Sequence, residues 1–74
     1  MVYYLYMGTS EQIGRKVKEI REKANLTQAQ VADKAGIHVN YFARLERGEV
    51  NPSADILEKI AKALKVASSD ILPF

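Results

Sequence analysis

The chain has no cysteine and one histidine, His38. The first absence excludes disulfide frameworks and thiolate metal sites and favours a reducing compartment; a lone imidazole cannot complete a metal centre. No apolar run approaches the roughly 20 residues of a bilayer-spanning helix. The apolar start, MVYYLYMG, lacks the basic region and small-residue cleavage site of a secretory signal. A cytoplasmic location with no membrane partner is therefore expected. Phosphate-cradling glycine loops, internal repeats and low-complexity tracts are also missing. Catalysis needs positioned nucleophiles, acids or metals, whereas the acids here fall where helix partners await them. No enzyme, cofactor or metal is expected.

What remains is a composition of ordinary globular type, 74 residues with 47% hydrophobic and 27% charged side chains. One domain fits this length, and a domain so small buries only about 60% of its unfolded surface, so a second subunit would help it. The formal net charge of +2 and pI near 9.0 permit a polyanionic partner without requiring one.

Helical periodicity organises the chain. Ile13, Val17 and Ile20 form an apolar stripe over residues 11–24, with Thr9 or Ser10 available as a cap and Asn25 ending the helix. Gly14 inside that stripe would cost up to about 1 kcal/mol against alanine, which marks close approach of a neighbouring backbone. Thr27 and Gln30 then form a T-x-x-Q capping box, and Leu26 with Val31 a hydrophobic staple. Val31, Ala32 and Ala35 face inward before Gly36 stops the second helix. A third helix over 39–47 starts at His38 and ends at Gly48, with Phe42 and Leu45 on its apolar side. Ser53 caps a fourth, in which Ile56, Leu57, Ile60, Ala61 and Leu64 make a wide stripe and Asp55 faces Lys59 at i,i+4. The tail suggests one last short helical turn, with Ser68 or Ser69 capping and Pro73 ending it.

The second and third segments are shorter than the roughly 12 to 15 residues an isolated helix needs, so they must pack on each other across Gly36. That is a helix-turn-helix pattern. On the third helix, Asn40, Arg44 and Arg47 lie together, opposite Phe42 and Leu45. Asparagine suits adenine and arginine suits guanine; Val39 can meet a thymine methyl, and Tyr41 flanks this face. The alternative is a merely solvated surface.

The run LTQAQVADKAGIHVNYFARLERG, with Ile20-Arg21, Asn51-Pro52-Ser53 and LEKIAKALKV, resembles the lambda-repressor/Cro-like superfamily, also called the XRE family, over residues 11–72. The resemblance implies an all-α, compact five-helix DNA-binding domain over residues 9–74, preceded by an apolar extension, residues 1–8. It implies a homodimeric transcriptional regulator that places helix 39–47 in the major groove of double-stranded DNA at a pseudo-palindromic operator. Base contacts would come from Val39, Asn40, Tyr41 and Arg44, and phosphate contacts from Gln28, His38, Arg47, Asn51 and Ser53. Arg21 and Glu46 would form a structural ion pair, and Ile71, Leu72 and Phe74 the dimer interface. His38 and Ala67 depart from the family's usual caps. The same fold also serves in antitoxins and bridging factors, so a toxin-like protein partner is the rival reading. The stretch VYYLYM carries no Lys or Arg; pairing with its copy, packing on its own domain and disorder stay open.

Overall fold

The computed structural model of the protein describes residues 8–73. The expectations for residues 1–7 and for Phe74 lie outside them. Four α-helices follow in order, α1 (Thr9–Lys23), α2 (Gln28–Ala35), α3 (Val39–Glu46) and α4 (Ala54–Leu64), and then a single 3-10 turn, Ser68–Asp70. The expected fifth helix is therefore corrected to one turn. Neither serine caps it. Ala67 holds the cap position, and the Asp70 carboxylate reaches back to accept the Ala67 N–H at 3.0 Å.

Each helix starts where a polar group meets otherwise orphaned N–H groups. Thr27 Oγ1 accepts the Gln30 N–H at 3.1 Å, and Gln30 Oε1 accepts the Thr27 N–H at 2.8 Å, so both bonds of the capping box form. Ser53 Oγ accepts the Ile56 N–H at 3.2 Å. The start of α1 differs from expectation: Thr9 and Ser10 lie inside the helix, Gly8 is the cap residue, and the Glu11 carboxylate accepts the Gly8 N–H at 3.1 Å.

All four helices end in the same way. Asn25, Gly36, Gly48 and Lys65 take positive φ of 58, 71, 77 and 60°. The next residue in each case donates its N–H five positions back: Leu26 to Arg21, Ile37 to Ala32, Glu49 to Arg44 and Val66 to Ala61, at 2.9–3.2 Å. This is the Schellman closure, which satisfies the last carbonyls and folds the chain back on its helix. Leu26, Ile37 and Val66 thereby seat against the core. Glu49 is exposed instead.

The core is built from one stripe of each helix. Val17 of α1, Val31 of α2, Phe42 and Leu45 of α3, Ile60 of α4 and Ile71 beyond the 3-10 turn are almost wholly removed from water. Helix α2 packs on α3 and α4, and α1 on α3. A Cβ built on Gly14 would stand 2.7 Å from the Glu46 carbonyl oxygen, so α1 and α3 touch backbone to backbone where Gly14 marks it.

Candidate nucleic-acid interface

The corner between α2 and α3 sets the site. Gly36, at φ 71°, closes α2, and nothing lies within 4 Å of where its Cβ would be. The glycine lowers the cost of the left-handed backbone, which Asn25 and Lys65 adopt without it, and is not required for space. Ala32 at the corner is 2% exposed, small enough to let the two helices close on each other.

His38 starts α3. Its Nδ1 accepts the Asn40 N–H at 3.0 Å, so the imidazole performs the capping that serine or threonine more often supplies. Nδ1 is then unprotonated, and the exposed ring keeps an Nε2–H donor for an anion.

Beyond the cap, α3 divides cleanly. Phe42 and Leu45 are buried, whereas Asn40, Arg44 and Arg47 are exposed, and Tyr41 is half-buried against the core. Among the described residues, the large hydrophobic side chain left exposed is Val39, at 37%. It sits on the first turn of α3 beside Asn40. The outer row is thus one apolar contact, one amide and two guanidiniums.

The position of this row is fixed from behind. Arg21 Nε donates to Glu46 Oε2 at 2.6 Å and Nη2 to Oε1 at 3.1 Å, while Nη1 donates to the Leu26 carbonyl at 2.9 Å. Both residues are buried, at 9% and 7% exposed. Hydrogen bonding to Glu46 outweighs burial and raises the Arg21 guanidinium further above its ordinary value. This bidentate pair ties α1 to the last turn of α3, beside the Gly14 contact.

Gln28, for which the resemblance implies a phosphate contact, is turned partly towards the protein. It is half-buried, and its Nε2 donates to Glu46 Oε1 at 2.8 Å. Glu46 therefore links α1, α2 and α3. The bond to Glu46 uses one of the two Nε2 hydrogens of Gln28. Asn51 and Ser53 are exposed in the loop before α4, and the Ser53 hydroxyl hydrogen stays available while its oxygen caps α4.

At the far end of α3, the Glu49 carboxylate stands between two arginines. Arg47 Nε donates to Oε2 at 2.7 Å and Nη2 to Oε1 at 3.4 Å, and Arg44 Nε lies 3.6 Å from Oε1. Hydrogen bonding raises the Arg47 guanidinium pKa and holds the Glu49 carboxyl below the usual range. Reasoning from helical periodicity passes over Glu49 because it lies outside any helix. The available signal was Gly48: a left-handed glycine after a helix returns the residue behind it to the side chain five positions earlier, here Arg44.

Of the residues assigned to a dimer interface, Ile71 is corrected. At 1% exposed it belongs to its own domain's core and has no surface to offer. Leu72 is half-buried.

A short helix packed across a glycine turn, with a polar outer row and a buried brace, defines a helix-turn-helix protein. The chain belongs to the HTH_3 helix-turn-helix family, of the XRE type, whose model matches residues 17–71. It is 44% identical over 62 residues to the control protein C.BamHI of Bacillus amyloliquefaciens, covering 82% of this chain and 76% of that one. It is 42% identical over 60 residues to the immunity repressor protein of Bacillus phage phi105, covering 81% of this chain and 42% of that one. Among solved structures it is similar to the restriction-modification controller protein C.AhdI from Aeromonas hydrophila, with a TM-score of 0.83 and 27% identity over 85% of this chain and 96% of that one. Among the described residues, no helix is long and apolar enough to cross a membrane.

Proposed function

We propose that this chain is a sequence-specific, double-stranded DNA-binding transcription regulator that lays α3 in the major groove. The observation that carries this reading is the division of α3, with Phe42 and Leu45 buried, Val39, Asn40 and Arg44 exposed, and Arg21–Glu46 fixing the helix between them. Each exposed group has a partner on a base edge: Val39 the thymine methyl, Asn40 the N6 and N7 of adenine, and Arg44 the O6 and N7 of guanine. Gln28, His38, Arg47, Asn51 and Ser53 supply donors for flanking phosphates, which set register and orientation. Tyr41 borders the base-reading row. The similarity to a control protein, a phage repressor and a restriction-modification controller supports the same class.

The protein acts as a homodimer, with two α3 helices about one DNA turn, roughly 34 Å, apart on a pseudo-palindromic site. Leu72 is the residue of the expected dimer set that keeps surface within the described chain. The test is selection of bound fragments from random duplex DNA, with the mass of each complex measured in parallel. An inverted-repeat motif held by two protein copies supports the reading. Recovery of random fragments, or of one copy on an asymmetric site, overturns the corresponding part.

A further inference from the structure

We infer that Glu49 is a positioning and specificity-determining residue of the DNA-reading face, hydrogen-bonded to Arg47 and ion-paired with Arg44 at its Nε edge, while its charge opposes contact with phosphates at random. The inference rests on the function proposed above. It starts from an irregularity in an otherwise regular fold. Of the four Schellman closures, three seat an apolar residue on the core, namely Leu26, Ile37 and Val66. The fourth presents a carboxylate to water. Packing does not account for Glu49. Helix stability does not account for it either, because an acid beside a helix C-terminus meets the negative end of the helix dipole.

The geometry accounts for it. The Glu49 N–H is pinned to the Arg44 carbonyl at 2.9 Å, which returns the side chain to the end of α3. There Oε2 accepts from Arg47 Nε at 2.7 Å, between two side chains that are each about half exposed. Its other oxygen stands 3.6 Å from Arg44 Nε. Contact at the Nε edge leaves both Nη groups of Arg44 as an open fork, the edge that guanine O6 and N7 engage. Because Arg47 holds the Glu49 carboxyl below its usual range, the residue is negative throughout the neutral region. The two arginines therefore approach DNA partly neutralised. That weakens attraction to any phosphate backbone without blocking the fork.

Two variants separate the roles. Glu49→Gln removes the charge and keeps the length; Glu49→Asp keeps the charge and shortens the reach. Each is titrated by fluorescence anisotropy against the duplex recovered by selection and a scrambled duplex, across a salt series, after thermal melting shows both variants folded. Glu49→Gln is expected to bind the scrambled duplex up to about 8-fold more tightly at 0.1 M salt, with a log–log salt slope steeper by about 0.9, equivalent to one more phosphate engaged. The selected duplex gains less, so discrimination between the two falls. Glu49→Asp keeps the wild-type salt slope but loses preference at the base pair read by Arg44. Equal gains on both duplexes, or no change on either, overturn the inference while leaving the proposed function standing. Failure of the wild-type protein to retain any duplex removes both.

Discussion

Replacing Gly14 with alanine sets two sizeable effects of opposite sign against each other. On an open helix the change stabilises by about 1 kcal/mol, because alanine loses less backbone freedom on folding. In this fold the new Cβ would stand 2.7 Å from the Glu46 carbonyl oxygen and 2.9 Å from its carbonyl carbon, with the Leu45 carbonyl oxygen nearer still. These are backbone atoms of α3, not the end of a side chain that can swing away. Helices α1 and α3 must separate by more than half an ångström, an overpacking that costs about 3 kcal/mol at the upper end of its usual range. The same separation stretches the Arg21–Glu46 bonds about two turns further along α1, and weakening a buried charged hydrogen bond adds about 1 to 2 kcal/mol. The net expectation is a loss of about 3 kcal/mol, or more than about 10 °C in Tm for a domain of this size. Urea denaturation followed by far-ultraviolet circular dichroism measures it. Gly36→Ala is the control: its Cβ meets nothing within 4 Å, so only the cost of a left-handed backbone, about 1 to 2 kcal/mol, applies. A Gly14→Ala protein as stable as the wild type would refute the claim that the two backbones touch.

Other substitutions probe the brace, the turns and the phosphate contacts. Glu46→Ala strands the buried Arg21 guanidinium and removes the partner of Gln28, and a loss of about 3 to 5 kcal/mol is expected in the same denaturation assay. Lys65→Gly relieves a left-handed lysine at φ 60° and should raise stability by about 0.5 to 1 kcal/mol after allowing for the greater freedom of glycine in the unfolded chain. No gain in Tm there would mean that the lysine side chain makes up for its backbone. Gln28→Ala should weaken binding to selected and scrambled duplexes by a similar factor, since a phosphate donor carries no sequence preference; loss confined to the selected duplex would contradict that role.

The helix pattern was legible wherever local chemistry decides it. The Thr27–Gln30 box, the Ser53 cap and the Gly36 stop are short-range devices, and each forms as its spacing implies. Gly14 was readable for the opposite reason: a helix tolerates so poor a residue only when a neighbour demands it. What escaped depends on contacts that spacing does not encode. Glu11 reaching back to Gly8 displaced the expected serine or threonine cap. The packing of Ile71 into the core, 1% exposed, took it away from the dimer surface to which it was assigned. Gln28 turned partly inward because Glu46, eighteen residues on, keeps a carboxylate oxygen within 2.8 Å of it. Glu49 was invisible to helical periodicity, since its position follows from the chain reversal at Gly48.

The central claim is that the outer row of α3 reads base edges, and position-by-position discrimination measures it most directly. Wild-type, Asn40→Ala and Arg44→Ala proteins are titrated against the selected duplex and its single-base-pair variants at fixed, low ionic strength. Each alanine variant should lose about 1 to 3 kcal/mol of preference at one base pair per half-site, adenine for Asn40 and guanine for Arg44, while the other positions keep theirs. Unchanged base preferences in both variants, or no retention of duplex DNA by the wild type, would contradict it.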